Sequence, residues 1–180
     1  VAAHRARAGG IVVLDVGSGE VVAMANVPSF NPNNRERVDP QRTRNRAVTD
    51  LFEPGSTLKP FTAAAALEAG AGEPEWGVQN APGQLAIGNR VIRDPHPQGV
   101  LTIGQVIQKS SNIGAAKMAL DLKPEALWSV LHQVGFGAQP RSGFPGEAAG
   151  KLRAAATWRP NEQATISYGH GISVSLVQLA

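Results

Sequence analysis

Two apolar runs rich in β-branched residues, Ile11 to Val16 and Val21 to Ala25, flank the polar tetrapeptide Gly17-Ser18-Gly19-Glu20. Short runs of this kind around a glycine-containing turn predict a strand, a tight turn and a second strand, a hairpin over 11–25. Pro28, Pro32, Pro40 and the segment Asn31-Pro32-Asn33-Asn34 then break any period for about 25 residues, longer than most connections and therefore a candidate functional loop. Helical spacing begins after Ser56. Leu58 to Ala69 holds four consecutive alanines, Phe61 and Leu67, and stops at Gly70, which predicts a closely packed, buried helix with a glycine C-terminal cap. Pro74, Pro82, Pro95 and Pro97 mark a second loop. Thr102-Ile103-Gly104-Gln105 has the spacing of a capping box and predicts a short helix ending near Lys109. Ser110-Ser111-Asn112 leads into a helix over Ile113 to Leu122, and Pro124 opens another that Gly135 closes. From there to Asn161 the chain is rich in Gly and Pro, and Ser173 begins an apolar segment that runs to Ala180.

Composition adds bounds. With 180 residues, 42% hydrophobic and 17% charged, the chain fits one ordinary globular domain. No apolar run approaches the roughly 18 residues of a membrane span, and VAAHRARAGG lacks the basic-then-apolar order of a signal peptide, so any anchoring segment is expected outside this sequence. A net charge of +3 is too small to imply a nucleic-acid surface. Five arginines between Arg35 and Arg46, interleaved with Pro40 and asparagines, read as a solvated loop. Without cysteine there are no disulfides or thiolate metal sites, and His4, His96, His132 and His170 show no ligand spacing; neither metal nor cofactor is expected. His170, between two glycines, reads as a loop or substrate-side residue rather than a general base.

Candidate chemistry centres on Phe52-Glu53-Pro54-Gly55-Ser56-Thr57-Leu58-Lys59-Pro60. A serine and a lysine three apart on a helix share one face, so the amine can reach the hydroxyl. Pro54 and Gly55 turn the chain just ahead of the helix and leave Ser56 at its N-terminus, where unpaired N–H groups favour a developing oxyanion. The spacing equally fits a capping serine and a surface lysine. Downstream, Ser110-Ser111-Asn112 sets two hydroxyls and an amide at a junction between helices. Ser29-Phe30-Asn31 has the same form, but only Ser110 follows Ser56, the order in which penicillin-recognising enzymes carry S-x-x-K and then S-x-N.

The likeness extends beyond these motifs. Gly10 to Asn26, Pro28 to Asn34, Arg44-Asn45-Arg46, Phe52 to Pro60, Gln108 to Asn112, and Tyr168-Gly169-His170-Gly171 through Gln178-Leu179-Ala180 resemble the division-specific class B penicillin-binding proteins. That resemblance implies an α+β fold of the penicillin-binding and serine β-lactamase type, with an antiparallel sheet flanked by helices and a helical lobe at about 56–135. It implies a peptidoglycan D,D-transpeptidase acting on D-Ala-D-Ala stem peptides and acylated by β-lactams. Ser56 is then the nucleophile, Lys59 its base, Ser110 a proton relay, and Asn112 a substrate-binding residue. The setting implied is the periplasmic face of the inner membrane, with division proteins as partners. A serine β-lactamase or β-lactam sensor, and a non-catalytic scaffold of the division machinery, are the alternatives. One departure stands out: no lysine here begins a Lys-Thr-Gly or Lys-Ser-Gly triad, and Arg141-Ser142-Gly143, in a Gly and Pro rich stretch, is the nearest imitation. The chain is therefore expected to be a partial domain lacking the anchor, the pedestal and that strand. Poor acylation by penicillin and reduced stability are the expected consequences.

Overall fold

In the computed structural model, which describes residues 1–34, 39–70, 75–96 and 98–180, local rules written into the chain set most elements. Arg35 and Arg37 of the arginine cluster, and Pro74 and Pro97 of the second proline-rich stretch, lie outside the described residues. In chain order the elements are β1 (Gly9–Leu14), β2 (Val21–Val27), and the one-turn helices α1 (Pro40–Thr43) and α2 (Arg46–Thr49). A 3-10 turn, Gly55–Leu58, runs into α3 (Lys59–Glu68). Then come β3 (Gly77–Gln79), β4 (Gln84–Ile87), β5 (Arg90–Arg93) and β6 (Val100–Thr102), followed by α4 (Ile103–Gln108), α5 (Asn112–Leu120) and α6 (Pro124–Gln133). The chain ends with α7 (Pro160–Ile166) and α8 (Leu176–Leu179). The strands form three antiparallel ribbons, β1 with β2, β3 with β6, and β4 with β5.

Two differences from the pattern-based reading are instructive. The second proline-rich stretch holds β3 to β6 rather than a plain loop. Each of these strands is three or four residues long, too short for alternation to register. The first such stretch contains α1 and α2; Asp39 caps α1 by accepting from Gln41 N at 2.9 Å, a signal that Pro40 obscured.

The chain divides into two compact units. The first comprises 1–52, 138–150 and 174–180. Its hairpin turn is built by Asp15, whose carboxylate accepts from Gly17 N, Ser18 N and Ser18 Oγ at 2.8–3.0 Å. Asn26 ties the ribbon to α2, donating to Asn45 Oδ1 at 2.8 Å and accepting from Ala47 N at 2.9 Å. The opposite face of the ribbon leaves Ile11 64% and Val13 44% exposed.

The second unit, 53–137 and 151–173, carries the larger core. Leu58, Leu127 and Leu131 are fully buried, each contributing roughly 2 kcal/mol by removal from water. Ala63, Ala65 and Ala66 of α3 are buried while Ala64 faces outward, so the alanine run keeps the helices close. Phe61 meets Phe136 edge to face at 5.4 Å. Gln163 of α7 donates its amide to Ala119 O and Leu122 O at 2.6 and 2.9 Å, tying α7 to the C-terminal end of α5 and the turn after it. The Thr102–Gln105 capping box forms and starts α4.

Candidate active site

Ser56 occupies the 3-10 turn that leads into α3, and Lys59 is the first residue of that helix. Gly55 enters the turn at φ 62°, a left-handed value that glycine adopts without penalty. The turn is pinned from behind: Gly55 N donates to Gly169 O at 3.1 Å, and Thr57 Oγ1 to Pro54 O at 2.7 Å. Gly169, at φ 86°, comes so near Gly55 that a Cβ there would collide with the Gly55 backbone. Ser56 is exposed and its N–H, at the start of the turn, donates to no described residue.

Lys59 is the unusual residue. Only 1% of its surface is exposed, yet it is among the largest buried side chains. Its Nζ lies 3.0 Å from Ser56 Oγ, 2.9 Å from Ser110 Oγ and 2.5 Å from Ser110 O. The second contact set spans 51 residues of sequence and depends on Ser110 holding φ 55°. A non-glycine residue there costs roughly 1 kcal/mol, and the conformation turns both oxygens of Ser110 toward the amine. Burial lowers the Lys59 pKa to about 8, against the pull of nearby Asp94, which raises it. An amine that titrates near neutrality beside a hydroxyl can take its proton.

The Ser110-Ser111-Asn112 turn is held by a group that no sequence pattern indicated. Asp94, 8% exposed, accepts from Asn112 N at 2.7 Å and Ile113 N at 3.2 Å through Oδ1, and from Ser111 Oγ at 2.5 Å through Oδ2. Asn80, 1% exposed, donates to the same carboxylate and to Ser111 Oγ, while its own oxygen accepts from Gln98 N at 2.9 Å. Ser111 also caps α5, accepting from Gly114 N at 2.8 Å. A buried carboxylate facing two helix N–H groups is a strong anchor, because charge-assisted bonds there complement the helix dipole. Asp94 sits beside Pro95 and Asn80 two residues before Pro82, where they read as ordinary turn residues.

The structure thus gathers Ser56, Lys59 and Ser110 into one hydrogen-bonded group. Asn112 stands on the adjoining turn with its backbone fixed by Asp94; its half-buried side-chain amide makes no hydrogen bond to a described residue. His170 takes no part: it is exposed and its Nδ1 is 2.9 Å from Glu53 Oε2. Among the described residues, no group of three or more His, Cys, Asp or Glu is placed to hold a metal.

The model of the penicillin-binding protein transpeptidase domain family matches residues 9–180. The chain belongs to that family. This transpeptidase-domain sequence is 45% identical over 177 residues to the probable peptidoglycan D,D-transpeptidase PenA of Neisseria gonorrhoeae, which covers 98% of this chain and 30% of PenA. It is 39% identical over its full length to the peptidoglycan D,D-transpeptidase FtsI of Escherichia coli K12, again 30% of that relative. Among solved structures, the transpeptidase domain of Burkholderia pseudomallei penicillin-binding protein 3 superposes with a TM-score of 0.87 at 45% identity, over 99% of this chain and 49% of that one. The fold is the transpeptidase fold, mixed helix and sheet, of which this chain spans about half. It spans 30% of the length of each of these two curated relatives.

Proposed function

We infer that this chain carries the nucleophilic centre of a serine-type peptidoglycan D,D-transpeptidase. The observation behind this reading is the Lys59 amine, nearly excluded from water and within 3.0 Å of two serine hydroxyls at once. Charged lysines are rarely buried without a carboxylate partner, and here both close neighbours are hydroxyl-bearing serines.

In the proposed reaction neutral Lys59 takes the Ser56 proton as Ser56 Oγ attacks the carbonyl of the penultimate D-alanine of a stem peptide. The Ser56 N–H, free of any described acceptor, is one donor for the oxyanion. The C–N bond to the terminal D-alanine breaks, and the proton passes through Ser110 Oγ to the leaving amine. An acceptor amine from a second stem peptide then attacks the acyl-enzyme and releases Ser56. Asn112, with its amide unengaged, holds the substrate backbone. β-Lactams enter the same first step and stop there. The substrates and the septal role follow the likeness to FtsI and PenA, as does placement at the periplasmic face of the inner membrane. No described helix is long and apolar enough to cross a membrane.

The test is covalent labelling with a fluorescent penicillin, mapped by peptide mass. A single adduct on Ser56 that vanishes in Ser56→Ala and persists for hours supports the reading. An adduct elsewhere, or equal labelling of Ser56→Ala, overturns it. Rapid turnover of the penicillin would instead support the β-lactamase alternative.

A further inference from the structure

The ribbon of β3 and β6 leaves one edge of β3 without a strand among the described residues. Val78 is opposite Leu101 in the antiparallel register, and Asn80 N donates to Gly99 O at 2.9 Å. By the two-residue alternation of such ladders, the N–H and C=O groups of Gly77 and Gln79 therefore point to the outer edge. Lys117 of α5 agrees with that direction, since its Nζ donates to Gln79 O. Gly77 and Gln79 are exposed, and Gly77 N–H, Gly77 C=O and Gln79 N–H bond to no described residue. The Gln79 carbonyl keeps a second lone pair. Backbone groups in this state are a template for a further strand.

A cavity of about 290 Å³ lies along this edge, within the second unit, with Trp76, Leu120 and the buried Val78 as its apolar wall. It is just under the size of sites that take a whole small molecule and suits one long side chain. Its two charged residues differ. The Lys117 ammonium is engaged on Gln79 O, whereas the Asp121 carboxylate accepts no hydrogen bond and forms no ion pair with a described residue. Asp121 is the C-cap of α5, at the negative end of the helix dipole, so both the carboxylate and the helix favour a cation there. Glu75, next to Trp76 in the chain, is likewise exposed and unpaired among the described residues. An arginine meets these conditions: its stem covers hydrocarbon, and its guanidinium stacks on indole and takes a carboxylate with two parallel bonds.

We propose that the outer edge of β3 takes up an extended basic segment of a partner protein as an added strand, with one arginine of that segment in the cavity against Trp76 and Asp121. None of Ser56, Lys59, Ser110 or Asn112 lines the cavity, so this reading is independent of the chemistry at Ser56.

The probe is acetyl-Thr-Val-Arg-Val-Thr amide, titrated into the intact, isotopically labelled protein by NMR. The expected result is saturable binding that shifts the amides of Gly77 and Gln79 and the indole of Trp76, slows hydrogen exchange at the two amides, and weakens with added salt. Asp121→Asn, at an exposed position, should weaken binding about tenfold, and Glu20→Gln, in the first unit, should leave it unchanged. Of two peptides N-methylated at alternate residues, one should lose binding, because only one set of N–H groups faces the edge. The proposal fails if both methylated forms bind as tightly as the parent peptide, if the peptide with citrulline for arginine does so, or if folded Asp121→Asn keeps full affinity. It also fails if no saturation is reached by about 10 mM peptide, or if the Gly77 and Gln79 amides shift with protein concentration alone, which would assign the edge to a second copy of the chain.

Discussion

Lys59 has to be buried to act as a base, and the same burial makes it costly to keep protonated. With its pKa at about 8 instead of 10.5, only about a tenth of the amines are neutral at pH 7, so penicillin acylation should rise with pH through about 8 and then level off. A flat profile between pH 6 and 9 would remove Lys59 from the role of base. The stability consequence has a definite sign. Between pH 8 and 10.5 the unfolded chain binds the proton and the folded chain does not, so stability rises with pH across that window. Below pH 8 the penalty is fully present, on the order of 3 kcal/mol, because the group is almost wholly buried. Lys59→Met should therefore abolish acylation yet stabilise the fold by about 2 kcal/mol at pH 7, net of the lost hydrogen bonds to Ser56 and Ser110. Thermal melts of the two proteins should converge as pH approaches 10.5, and a variant less stable at pH 7 would contradict the argument.

At the level of elements, the site depends on two turns that cannot hold themselves. Asp94 fixes the Ser110–Asn112 turn by accepting two N–H groups at the start of α5, and it also sets the field at Lys59. Asp94→Asn keeps the shape but removes the charge. It should destabilise by about 1–2 kcal/mol and move the midpoint of the acylation profile to lower pH, because the carboxylate that raises the Lys59 pKa is gone. A purely structural Asp94 would leave that midpoint in place. The Ser56 turn rests on the close approach of Gly169 to Gly55; Gly169→Ala adds a Cβ into backbone at a left-handed φ and should cost about 3 kcal/mol or more, visible in urea melts. These dependencies mark the limit of what the chain reveals when read alone. The Ser56–Lys59 pairing is local, so helical spacing suffices to place it, and the Thr102 and Ser111 caps follow from short-range residue types. Ser110 meets Lys59 across 51 residues, and only motif order pointed there. Asp94 and Asn80 act from short strands and turns that carry no periodic signal, and their partners are chosen by tertiary packing.

At the scale of the molecule, the β1–β2 ribbon poses a separate problem. Two strands form the whole of that sheet among the described residues, so each has an outer edge of backbone N–H and C=O groups with no ladder partner. Its two faces differ. Asn26 and Met24 on one side meet Asn45, while Ile11 and Val13 on the other are 64% and 44% exposed, opposite Ala25 and Ala23 in the register. Apolar side chains beside unpaired edges favour strand addition between copies, because one contact both removes hydrocarbon from water and completes a ladder. The 180-residue chain should accordingly associate at micromolar to millimolar concentration. Replacing Ile11 with Lys places a charge in the middle of the exposed face, where pairing with a second copy would bury it without a partner. Sedimentation velocity should show reversible dimers or larger species for the parent chain and a shift of at least about tenfold in their midpoint concentration for Ile11→Lys. The outer face contributes little to the fold, so the variant's melting temperature should stay within about 2 °C of the parent's. A parent chain that sediments as a monomer throughout that range would show that the exposed face is tolerated in water.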